Sequence, residues 1–216
     1  MKDPKEIHVF DLDQTLIISN SSFNFGIYLY RKGVLPFLTM ISLIWYYFVF
    51  KMGWCSIETL HHNICNRYFC GLSRSEIEMY AEQFLSQYFQ EILYAPAYHE
   101  LCLAKQTGHY TVLLSSSPDF LVKKFADYFE VDEWAATIYH SVNDKIVEVS
   151  QLMVGSDKAF YLNDLINRKN VDKKNVWAYS DSHLDLPFLE AAGQPIGVNP
   201  DRILRGECEK NGWTII

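Results

Sequence analysis

The sequence predicts an α/β fold, a doubly wound parallel sheet. Two observations carry this: short apolar runs that end in polar residues alternate with helical stretches, and a long aromatic-rich helical segment follows the first run. The first run, Ile7 to Phe10, stops at Asp11 and is short enough for a buried parallel strand. From Leu16 to about Tyr98 the pattern turns helical, with a capping-box signature at Ser73 and Glu76, so a helical insertion is expected. A second strand is read at Tyr110 to Leu114, before Ser115, followed by Ser117 as candidate N-cap and Pro118 as first-turn proline of a helix over Phe120 to Phe129. Thr137 to Val149 alternates around Asn143-Asp144, as a hairpin does. Val176 to Tyr179 leads to Asp181, and the helix after it, Leu184 to Ala192, stops at Gly193. Ile196 to Val198 is the last run, and Pro200 opens a final helix. The expected division is a core of residues 1–16 and 99–216 and a helical cap of residues 17–98.

With 216 residues, 49% of them hydrophobic, the chain can bury one sizeable core and a smaller module. A net charge of -7 gives no reason to expect nucleic acid or an anionic membrane as partner, so an anionic substrate needs a local positive site such as a metal. Cys55, Cys65, Cys70, Cys102 and Cys208 form no C-x-x-C pair and are odd in number, which suggests neither a cysteine zinc site nor a disulfide framework. Met1 to Glu6 lacks the basic segment and longer apolar core of a signal peptide. A cytoplasmic location is expected.

The sharpest chemical signal is Asp11-Leu12-Asp13-Gln14-Thr15. Residues i and i+2 of an extended chain project to one side, so the two carboxylates converge at the strand end. Two such charges about 4 Å apart repel by roughly 4 kcal/mol at an effective dielectric of 20, which calls for a divalent cation or a shared proton. Asp181 and Asp185 add oxygen ligands for a hard metal. Lys158, behind Ser156 in the first turn of an expected helix, and Ser115, at a strand end, suit the binding of phosphate oxygens.

In order and spacing these residues resemble the four motifs of the haloacid dehalogenase superfamily: Asp11 and Asp13, then Ser115, then Lys158, then Asp181 and Asp185. Leu113 to Pro118, the run Tyr179 to Leu189, Gly197 to Asp201 and Gly212-Trp213 are similar to subfamily IB, the phosphoserine-phosphatase-like hydrolases. The resemblance implies a Rossmann-like core with a C1-type helical cap, and a magnesium-dependent phosphomonoesterase acting on a small phosphorylated metabolite. It implies Asp11 as nucleophile and Asp13 as general acid and base. It further implies Mg²⁺ held by Asp11, Asp181 and the Asp13 carbonyl, phosphate bound by Ser115, Ser116 and Lys158, and Asp185 supporting Lys158 or a metal-bound water.

The chain departs from the family pattern in Gln14 and Ser180, where glycine is common, and in Ser116, Ser117 and Asn20, where phosphoserine phosphatases have two glycines and a glutamate. Phosphoserine is therefore not the expected substrate. The run Val34 to Phe50 is at the lower limit for a membrane-spanning helix, is interrupted by Pro36, Thr39 and Ser42, and as a single crossing would put Asp11 and Ser115 on opposite sides. A buried cap helix, or one whose apolar face covers substrate, is expected. Its aromatic end and basic flanks, Arg31, Lys32 and Lys51, leave interfacial contact as the alternative, together with a resemblance to phosphatidylglycerophosphatase C. Adjacent His61 and His62 do not share a helix face and are expected at the surface. Receiver modules share the Asp, Ser/Thr and Lys kit but lack the D-x-D pair and the large insertion.

Overall fold

The computed structural model describes residues 4–216; the first three residues of the amino-terminal stretch lie outside them. Its strands are β1 (Ile7–Phe10), β2 (Tyr110–Pro118), β3 (Glu133–Val142), β4 (Lys145–Gln151), β5 (Val176–Ser180), β6 (Gln194–Gly197) and β7 (Thr214–Ile215). They form one sheet in the order β4-β3-β2-β1-β5-β6-β7, parallel throughout except for the antiparallel β3–β4 hairpin. From β1 the chain continues to β2 on one side and to β5 on the other. The crevice where the winding reverses therefore opens at the carboxyl ends of β1 and β5, where ligands bind in such sheets.

Alternation along each strand divides the core into two layers. Phe10, Leu113, Tyr179 and Ile196 face one side, where they meet α5 (Ala95–Gln106), α6 (Asp119–Phe129) and the helices α1 (Ser21–Arg31) and α4 (Arg74–Ile92). Ile7, Val9, Val112, Leu114, Val176 and Ala178 face the other, against α7 (Gly155–Lys169), α8 (Leu186–Ala191) and α9 (Arg202–Asn211). Each fully buried aromatic or aliphatic side chain, such as Phe120 or Leu162, contributes about 1.5–3 kcal/mol of burial.

Between β1 and β2 the chain makes its helical excursion, which also includes α2 (Phe37–Lys51) and α3 (Ile57–Ile64). It leaves and returns side by side: Ile18 N donates to Ile92 O at 2.8 Å and Tyr94 N to Leu16 O at 2.9 Å. Asn143 and Asp144 take φ of 47° and 63°, the left-handed pair that a type I′ hairpin needs. Ser73 accepts from Glu76 N and so caps α4.

Three local expectations are corrected. Ser117 is not a helix cap, because β2 continues through Pro118 and α6 starts at Asp119 without a side-chain cap. The Val34–Phe50 run is not a buried helix. It becomes α2 only after Pro36, and it turns Phe37, Leu38, Ile41, Ile44, Trp45 and Phe48 outward, Leu38 at 76% exposure. His61 is buried, since its Nδ1 meets Tyr139 Oη at 3.0 Å beneath α3, and desolvation lowers its pKa to about 4.

Candidate active site

Asp11 follows directly on β1, with its N–H donating to Tyr179 O on the neighbouring β5 at 2.9 Å. Two residues on, Asp13 points at the carboxyl end of β2, where its Oδ2 accepts from Ser117 Oγ at 2.6 Å and its Oδ1 from Ser21 N at 2.5 Å. Between them Leu12 is buried; all three residues lie past the end of β1, in the turn that follows it. Gln14 adopts φ 60°, the left-handed conformation, which explains why glycine is frequent at this place. The turn it makes brings Thr15 Oγ1 to within 3.2 Å of Asp181 Oδ1, across the crevice on the loop after β5.

Lys158 lies one turn inside α7 and is 2% exposed. Its Nζ donates to Asp11 Oδ1 and to Asp185 Oδ2, both at 2.7 Å. Ser180 Oγ donates to the same Asp185 oxygen at 2.7 Å, which holds that carboxylate in place. The reach of Lys158 depends on Gly155 at the start of α7: a Cβ there would lie 2.0 Å from Leu184 O, so only glycine lets α7 approach the Asp185 loop this closely. Ser115 is fully buried and accepts from Ser117 N at 3.1 Å, while Ser116 is half-buried. Asp201 braces the crevice from beyond β6 by receiving His183 N and, at 2.7 Å, His183 Nδ1.

The structure thus brings Asp11, Lys158 and Asp185 into one hydrogen-bonded cluster, with Asp181 beside them through Thr15 and Asp13 joined to Ser117. Sequence reasoning missed Thr15, Ser180 as a partner of Asp185, Ser117 as the partner of Asp13, and Gly155. Of these only Gly155 carried a local signal, as a glycine at a helix start, because the others depend on strands brought together from distant parts of the chain. Arg74 is engaged by Asp119 Oδ2 at 2.7 Å, Glu78 Oε1 at 2.6 Å and Tyr139 O, which gives it a structural task.

Four carboxylates face one lysine, and the electrostatics follow from that count. Burial pushes Asp11 well above the ordinary carboxylate range; Lys158 opposes this, and Asp185, Asp181 and Asp13 add to it. Burial likewise raises Asp13 against its hydrogen bonds from Ser117 and Ser21. Asp181 is raised to about 7 by burial and then by Asp185. Burial alone would lower Lys158, but Asp11 and Asp185 hold it above its usual value, so it stays charged. A surplus of buried oxygen donors with elevated pKa values suits a hard divalent cation, and the free lone pairs of Asp11 and Asp181 fit that role. Both oxygens of the Asp13 side chain are engaged, by Ser117 and Ser21.

Beside Ser117 a cavity of about 100 Å³ runs under the helical excursion. Asn20, Ser22, Ser116 and Ser117 form its polar end, and Phe25, Leu43, Phe50, Leu60, Phe69 and Tyr139 are among its apolar walls. Its lining holds no Asp, Glu, Lys or Arg among the described residues.

A family model described as haloacid dehalogenase-like hydrolase matches residues 8–190. The chain is 27% identical, over 99% of its length and 78% of the relative's, to an "inhibition of morphological differentiation protein" of Streptomyces azureus. It is 26% identical, over 96% of its length and 73% of the relative's, to a probable phosphatase of Mycobacterium tuberculosis. Its fold is similar to that of a phosphoserine phosphatase solved as a phospho-aspartyl intermediate analogue, with a TM-score of 0.70, 17% identity, and coverage of 98% of this chain and 92% of that one.

Proposed function

The chain belongs to the haloacid dehalogenase-like hydrolase family, and on that premise we propose that it is a Mg²⁺-dependent phosphomonoesterase working through an aspartyl-phosphate on Asp11. The observation that carries the reading is the Asp11–Lys158–Asp185 cluster at the reversal of the sheet, with Asp13 two residues away. The structural likeness to a phosphoserine phosphatase held as a phospho-aspartyl analogue supports it.

In the proposed reaction one oxygen of Asp11 attacks phosphorus, and the bond from phosphorus to the substrate alkoxide breaks as the new one forms. Asp13, whose raised pKa favours the protonated form, gives its proton to the leaving oxygen. It then takes a proton from water, whose oxygen attacks phosphorus, and the Asp11–phosphorus bond breaks to release inorganic phosphate. Lys158, together with the hydroxyls of Ser115 and Ser116, binds the phosphoryl oxygens, and Asp185 positions Lys158. Mg²⁺ held by Asp11, Asp181 and the Asp13 carbonyl would offset the charge of the carboxylates and the phosphate. Residues 17–98 serve as a cap over the crevice, a division supported by the side-by-side exit and return at Ile18 and Tyr94.

Because Asp13 serves the leaving group and Ser117 joins Asp13 to the cavity, the organic part of the substrate extends into that cavity. Its uncharged, mostly apolar lining argues for a small phosphorylated substrate with an apolar body. It argues against phosphoserine, whose ammonium would find no carboxylate there. Asn20, in the place of a family glutamate, spends its side chain on capping α1. The outward apolar face of α2 favours a second reading, a lipid phosphate taken from a membrane surface. No helix among the described residues is long and apolar enough to cross a membrane.

The test is hydrolysis of p-nitrophenyl phosphate and a panel of phosphomonoesters with and without Mg²⁺, beside Asp11→Asn. Mg²⁺-dependent turnover lost at least a thousandfold in the variant is expected; comparable activity in the variant would overturn the nucleophile assignment. Sedimentation with phospholipid vesicles separates the substrates, because failure to bind at any salt concentration would remove the lipid reading.

A further inference from the structure

At the opposite ends of the central strands, away from the crevice, a second group of metal-ligating side chains converges. Glu6 precedes β1, His8 lies within it, and His109 precedes β2. Pairing of the two strands, with Tyr110 N donating to Glu6 O at 3.0 Å and His8 in register with Thr111, holds the three together. His109 Nδ1 is 3.1 Å from His8 Nε2, Glu6 Oε2 is 3.5 Å from His8 Nε2, and Glu6 Oε2 is 3.4 Å from His109 Nδ1.

We propose that Glu6, His8 and His109 form a binding site for a zinc-type divalent transition metal, with three protein ligands and a fourth position open to solvent. This is independent of the phosphatase reading. A tetrahedral zinc with bonds of about 2.0–2.1 Å separates its ligand atoms by roughly 3.3 Å, and the three separations here lie within a few tenths of an ångström of that. Two imidazole nitrogens and one carboxylate oxygen are a donor set that zinc prefers and magnesium does not, in contrast to the all-oxygen crevice.

The surroundings are those of a ligand set. The other ring nitrogen of His8, Nδ1, meets Tyr179 Oη at 3.1 Å, the kind of outer contact that fixes which nitrogen faces a metal. Trp177 stacks on the His8 ring at 5.4 Å with the planes 4° apart, which restrains its rotation. Glu6 Oε2 lies at ion-pair distance from both imidazole nitrogens. For His8 Nε2 and His109 Nδ1 to ligate, His8 would carry its proton on Nδ1, toward Tyr179, and His109 on its far nitrogen. Glu6 and His109 are partly exposed and provide the path of entry. A metal here would clip the start of β1 to the turn between α5 and β2.

Tag-free, metal-stripped full-length protein titrated with Co²⁺ reads the site directly, through the intense visible bands of four-coordinate cobalt. One equivalent is expected, displaced by Zn²⁺, lost in His109→Ala and in Glu6→Gln, and retained in Asp11→Asn. Phosphatase activity should be unchanged in His109→Ala and Glu6→Gln, and Zn²⁺ should raise the melting temperature of the wild type but not of His109→Ala. Absence of the bands, their survival in His109→Ala, or their loss in Asp11→Asn would each overturn the proposal.

Discussion

Asp181→Asn offers a quantitative test of the charge surplus in the crevice. The wild-type carboxyl rises from 3.8 to about 7, through burial and then Asp185. A folded-state pKa above the unfolded value means that the folded protein holds a proton the unfolded chain has released, so stability falls as pH rises between these two values. At about 1.4 kcal/mol per pH unit, the metal-free wild type gives up about 4 kcal/mol between pH 4 and pH 7 through this group. Asparagine retains an oxygen for Thr15 Oγ1 but carries no charge. In EDTA at pH 8, Asp181→Asn should therefore be the more stable protein by up to about 4 kcal/mol, with the gap closing toward pH 4. Mg²⁺ should stabilise the wild type and leave the variant nearly unmoved, because the variant has lost a proposed ligand. Urea denaturation from pH 4 to pH 8, with EDTA and with Mg²⁺, measures both effects. A variant less stable than wild type at pH 8 in EDTA, or equally stabilised by Mg²⁺, would refute the reasoning.

Further expectations rest on single contacts. Ser117→Ala removes the 2.6 Å hydrogen bond to Asp13 and should lower kcat tenfold to a hundredfold with little change in stability; an unchanged kcat would detach Ser117 from the acid–base step. Gly155→Ala puts a Cβ against Leu184 O and should cost about 2–4 kcal/mol in denaturation while displacing Lys158, so an active protein of wild-type stability would show that this close approach is unnecessary. His61, whose pKa is lowered to about 4, must gain a buried charge in acid. Its contribution is complete above pH 6.5 and about 3 kcal/mol smaller by pH 4, and His61→Gln should flatten that part of the stability profile, as urea denaturation can establish.

The sequence by itself determined the sheet strands that carry chemistry. The runs ending before Asp11, Ser115 and Asp181 marked β1, β2 and β5, although β1 also carries His8 and β2 runs on past Ser115 to Pro118. The Asn143-Asp144 turn was equally legible, because few residue pairs tolerate two successive left-handed conformations. What only the tertiary structure decided are relations between segments far apart in the chain. Ser117 looked like a helix cap because local rules see only the proline after it, whereas its hydroxyl is claimed by Asp13, 104 residues away. His61 and His62 are equivalent by helix spacing, and only the packing of α3 against Tyr139 buries one of them. The apolar run in α2 could not reveal its environment, since periodicity marks a face without naming what covers it. Glu6, His8 and His109 became a cluster only when β1 and β2 paired, because a strand register set by main-chain hydrogen bonds joins residues that no local pattern connects.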